Sequence, residues 1–214
     1  MEYRNLQDNI RKEEYNDRTK GILQWIKENR DKADWAKDPN AYEMVNVFLL
    51  GAKYRQEGEK IDTKVLEEMW SIRSKDFEHA GVPNQSFVYR ICEDAYQSAK
   101  SGKALINDEA SHHALRKMAG IGLYCSQQKR DGKKIEYNNP GELLELIETA
   151  RTLKGVHPDL YEKYQFQTNL ERLCELQPEN GLQNRIQEAM ESLEQRREDT
   201  KDEIEKNEIE KDRT

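Results

Sequence analysis

Apolar residues recur along most of this chain at spacings of three and four, the period of an amphipathic helix. Tyr3, Leu6 and Ile10 begin the pattern, and Ile22, Leu23 and Ile26 resume it after a charged stretch, Arg11 to Lys20, that faces solvent or interrupts the helix. Asp38-Pro39 is a start signal, a carboxylate for free N–H groups followed by a residue that has none to satisfy. The helix that follows carries Met44, Val45, Phe48 and Ala52 to Gly58. Asp62-Thr63 opens the next, with Val65, Leu66, Met69, Trp70 and Phe77 running to Gly81, and Pro83-Asn84 opens one with Phe87, Val88, Ile91, Cys92, Ala95 and Ala99 to Gly102. Asn107-Asp108 leads through Leu115, Met118 and Tyr124 to Gly132. Asn139-Pro140 leads through Leu143, Leu144, Ile147 and Ala150 to Gly155. A sixth helix is predicted from Pro158 through Leu160, Tyr161, Tyr164, Leu170, Leu173 and Cys174, and a weaker stripe of Leu182, Ile186, Met190 and Leu193 follows it. Beyond Leu193 only Ile204 and Ile209 are apolar, each set between glutamates, and no heptad seam survives there.

Three of the predicted turns share a plan: Gly58 to Asp62, Gly102 to Asp108, and Gly132 to Glu136 each run from glycine through lysine and isoleucine to a polar or acidic residue. Their unequal spacing excludes a fixed repeat. Leu50-Gly51 with Tyr54 and Gly58 resembles the first helix of a tetratricopeptide unit over about a dozen residues, although Glu67 and Trp70 stand where its second helix would need small side chains.

The composition agrees with helix. Leucine outnumbers valine 18 to 6, and β-branched residues are the ones that favour strands. The expected fold is therefore all-α, a bundle or irregular array of six to eight helices joined by short glycine-capped turns. Residues 1–37 read as a charged N-terminal helix or arm, 38–193 as a helical core domain, and 194–214 as an acidic helical or disordered tail. No uncharged run approaches the about twenty residues of a membrane helix. Met1-Glu2-Tyr3-Arg4 lacks the apolar stretch of an export signal, and Cys92, Cys125 and Cys174 are an odd, scattered set. These features predict a cytoplasmic protein with reduced thiols that does not enter membranes.

Charge adds a division. The net charge is -7, but residues 186–214 hold eleven acids and six bases and so carry -5 of it, leaving a nearly neutral body. Within that body Arg116, Lys117, Lys129, Arg130, Lys133 and Lys134 stand against Asp131 alone between residues 114 and 135. That basic stretch suits phosphates, an acidic partner or the chain's own tail. Glu109, His112 and His113 have helical metal-ligand spacing, but only Asp76 and His79 repeat it, and a half-site lacks the ligand number that metal chemistry needs. Cys125, near the basic segment, is the thiol a lowered pKa would activate, whereas burial would make all three cysteines inert. Gly120-Ile121-Gly122 lacks the third glycine and the strand of a nucleotide loop.

No catalytic constellation and no cofactor motif emerges. The sequence predicts a non-enzymatic protein-interaction module, an adaptor, scaffold or inhibitor, with self-association as a further mode. Trp25 and Trp35, outside the clearest core, are its expected partner-binding residues. The alternatives are a nucleic-acid-associated protein using residues 114–135 and a helical metalloenzyme around Glu109 and His112.

Overall fold

The computed structural model describes residues 10–30, 40–177 and 182–194, and all of its regular structure among them is helical. A 3-10 turn at Lys12–Glu14 leads into α1, Tyr15–Asn29. There follow α2, Ala41–Gln56; α3, Thr63–His79; α4, Phe87–Ser101; α5, Glu109–Arg130; α6, Pro140–Val156; α7, Pro158–Lys163; and α8, Phe166–Glu175. A further helix, α9, includes 183–194, the last of the described residues. The chain is an all-α array.

The middle of the array is α2, buried on every side from Met44 to Ala52 because no charged residue interrupts that run. A helix without a polar face has to be surrounded. Here α4 and α5 lie on it, α3 packs on α4 and α1, and α6 packs on α5. Consecutive α2 and α3 are not each other's main partners, so the short tetratricopeptide likeness does not extend to packing. An aromatic group fills the space between α2, α3 and α4, with Trp70 stacked on Tyr96 at 5.9 Å and edge-on to Phe48 at 6.3 Å.

Three of the six predicted starts are true side-chain caps. The side chains of Asp62, Asp108 and Asn139 accept hydrogen bonds from the N–H groups of Val65, Ser111 and Glu142. Glu142, three residues beyond Asn139, accepts from the Asn139 side-chain amide in return, which makes a capping-box-like exchange. Asp38-Pro39 lies outside the described residues, and the cap of α2 is Asn40. α4 begins later than predicted, at Ser86, whose hydroxyl accepts from Tyr89 N–H.

Three expectations are corrected. The charged stretch Arg11 to Lys20 mostly faces solvent, as one alternative had it, but it does not interrupt α1: Tyr15 and Thr19 in it continue the Ile22, Leu23, Ile26 stripe and are buried with it. Gly155 does not stop α6, which runs on to Val156 and ends where Pro158 holds His157 out of helical geometry. The predicted sixth helix is two, because Gln165 adopts a left-handed φ of 54° between α7 and α8. Asn169 makes that break stable by donating from its side-chain amide to the carbonyls of Tyr164 and Gln165.

Candidate binding cleft

Six α5 residues, Met118, Ile121, Gly122, Cys125, Ser126 and Lys129, occupy one stripe at helical spacing, and Asn169, Arg172, Leu173 and Leu176 do the same on α8. The two stripes face one another across a cleft of about 250 Å³, closed by Phe87 at the start of α4 and by Ile135 in the loop after α5. α8 is held by α6 and α7 and has no extensive packing on α5, which is why the stripes stand apart. The floor is apolar, and the polar groups within it are spent locally: Ser126 donates to the Gly122 carbonyl, and Asn169 caps the α7–α8 break. Lys129 and Arg172 are exposed at its rim, and neither has an ion-pair partner among the described residues.

The six basic residues of 114–135 do not form one surface. Arg116 is buried, donating to Asn46 Oδ1 at 3.1 Å and to His113 Nδ1 at 3.0 Å, with its guanidinium 5.3 Å from the Tyr42 ring. Lys117 bonds Glu142 at 2.7 Å. At the far end of α5, Arg130 and Lys133 both pair with Asp131, and Lys134 pairs with Glu136. Lys129 is the member that borders the cleft. Glu142 is pulled in opposite directions: burial raises its pKa, but the hydrogen bonds from Lys117 and Tyr137 and the Lys117 charge outweigh that and hold it below the ordinary glutamate value.

The histidine segment serves the same seam. Because a guanidinium only donates, His113 Nδ1 must accept from Arg116, which leaves the ring proton on Nε2, 3.2 Å from Glu145. His112 is buried, and the Glu109 side chain is exposed and 3.8 Å from Arg116. Among the described residues no group of three or more His, Cys, Asp or Glu side chains is placed to hold a metal ion. Burial pushes the Cys125 thiol up to about 11 and, with help from Glu171 and Glu175, the Cys174 thiol to the same value; it raises Cys92 further. Cys125 is thus an apolar lining group of the cleft, poorly suited to nucleophilic attack.

Trp25 is half-buried against the core, and Trp35 lies outside the described residues. Gly120 and Gly122 are packing notches of α5. A Cβ on Gly120 would lie 3.0 Å from the Tyr42 Cβ, and one on Gly122 would lie 2.5 Å from Val88 Cγ2. Arg172, Leu176 and Phe87 are not marked as site residues by the sequence: the turn at Gln165 is what sets the α8 stripe opposite α5, and Phe87 reads as an ordinary apolar position at the start of α4. The one available signal was the i, i+3, i+4, i+7 repeat of 169, 172, 173 and 176.

No family model matches this chain, and neither a curated protein nor a solved structure is similar to it. Among the described residues, no helix is long and apolar enough to cross a membrane.

Proposed function

We propose that this chain is a helical protein-interaction module that receives an acidic segment with an aliphatic anchor in the cleft between α5 and α8. The observation that carries this reading is the pairing of an apolar floor with Lys129 and Arg172 at its rim, both without ion-pair partners among the described residues. A cleft of about 250 Å³ is smaller than the roughly 300–1,000 Å³ of most small-molecule sites and suits one or two anchoring side chains. An aliphatic group gains from leaving water there, and flanking carboxylates meet the two cations.

A nucleic-acid role draws less support from this geometry, since the six cations are divided between a buried seam, local ion pairs and the cleft rim.

The test is fluorescence anisotropy with a labelled twelve-residue probe in which isoleucine lies between glutamates. Saturable binding is expected, weakened at least tenfold by Lys129→Glu with Arg172→Glu and weakened by added salt. Binding unaltered by both substitutions refutes the cleft.

A further inference from the structure

The chain itself contains the sequence that this cleft suits. Glu203-Ile204-Glu205 and Glu208-Ile209-Glu210 are two isoleucines, each between glutamates, and they are the only apolar residues after Leu193. The described part of α9 ends close by. Glu194 Oε1 accepts from the Gln167 side chain at 3.1 Å, and Lys154 Nζ donates to the Leu193 carbonyl at 2.6 Å, so the chain leaves the described body beside the first turn of α8. Gln167 and Arg172 are five residues apart on α8, about 7.5 Å of axial rise and roughly 140° around the helix. The nine residues from 195 to 203 span up to about 30 Å when extended, several times that distance. Reach, charge and the apolar anchor agree.

We propose that residues 203–210 dock in the chain's own α5–α8 cleft, with Ile204 or Ile209 on the apolar floor and the flanking glutamates toward Lys129 and Arg172. This rests on the cleft reading given above and adds its regulation: a partner segment has to displace the tail. A short tether holds such a segment at an effective concentration in the millimolar range, so even a weak sequence keeps the cleft filled until a better one arrives. Two copies of the motif five residues apart give the tail two ways to engage.

The experiment compares the full chain with the full chain carrying Ile204→Asp and Ile209→Asp, substitutions remote in sequence from every core helix. The labelled Glu-Ile-Glu probe is expected to bind the variant at least fivefold more tightly than the unsubstituted chain. Alkylation of Cys125, which lines the cleft, is slow because burial holds its thiol protonated; followed by peptide mapping at raised pH, it is expected to proceed at least threefold faster in the variant, at a rate independent of protein concentration. Equal probe affinity and equal alkylation in the two chains overturn tail docking and leave the cleft standing. Failure of the probe to bind either chain overturns the cleft and the tail together. Protection of Cys125 that grows with protein concentration assigns the tail to a second copy and overturns docking within one chain.

Discussion

Tyr15 and Gly51 show how a single pair of residues joins α1 to the centre of the array. The Tyr15 hydroxyl donates to the Val47 carbonyl at 2.6 Å, and a Cβ on Gly51 would sit 2.5 Å from that hydroxyl. The glycine is therefore a recess for a buried phenol, a role that nothing in the local sequence around Leu50-Gly51 announces. Gly122 is a recess of the same kind, for Phe87 and Val88, whereas Gly21, on the exposed side of α1, has nothing within 4 Å of its missing Cβ. Opposite outcomes follow for one substitution. Gly122→Ala overpacks the α4–α5 contact and lowers stability by about 1–2 kcal/mol after its gain in helix propensity, while Gly21→Ala raises stability by about 0.5–1 kcal/mol. Urea unfolding of both variants checks this, and equal effects would contradict it.

Glu142 gives the residue scale its pH dependence. Its carboxylate is stabilised in the folded state below the ordinary value of 4.5, so its contribution is complete above that pH and is lost as the pH falls through the lowered folded-state value. Glu142→Gln should cost about 1.5–3 kcal/mol near neutrality, the range for a charge-assisted bond, and progressively less below pH 4.5. Parallel unfolding curves at pH 7 and pH 3.5 measure the convergence; a cost that is constant with pH would remove Glu142 from the account of acid stability.

At the scale of elements, helix ends decide most of the architecture. α4 ends at Gly102, whose left-handed φ of 72° closes the helix, and Arg55 from the end of α2 donates to the Ala99 and Lys100 carbonyls there. A cation on the last carbonyls of a helix also suits its dipole. The break between α7 and α8 is less well served, because a glutamine holds the left-handed position. Gln165→Gly should stabilise the chain by up to about 1 kcal/mol by removing Cβ strain, and Gln165→Val should destabilise it. Thermal unfolding reads both, and a loss of stability in the glycine variant would show that the glutamine side chain itself holds the turn. Starts and stops with a local chemical cause, such as Asp108, Asn139 and Gly102, were legible in the sequence for that reason. The break at Gln165 was not, since its support comes from Asn169, four residues further on, whose amide reads as an ordinary polar position in a helix.

At the scale of the molecule, the fold class is legible in the sequence, but only half of the cleft is. Hydrophobic periodicity shows which face of α5 is apolar. It does not show that α8 stands opposite that face, a fact fixed by long-range packing through α6 and α7. The basic run was read as one feature because sequence order hides depth: Arg116 and Lys129 are thirteen positions apart, about 20 Å along one helix, and one is buried while the other is exposed. The histidines looked like ligands for the same reason, and in three dimensions His113 partners an arginine and a glutamate.

Gln177, just beyond α8, donates to the Tyr137 carbonyl in the loop that leaves α5, and Ile135 of that loop also lines the cleft. The two walls are thereby spaced by a strut that belongs to neither. Spacing and chemistry are separable in such a design: if the cleft binds as proposed, the stripes on α5 and α8 would set what it attracts, and the strut would set how bulky an anchor could enter. On that reading, changes in the 131–139 loop would retune the size of the accepted side chain while every residue on the two facing helices stays as it is.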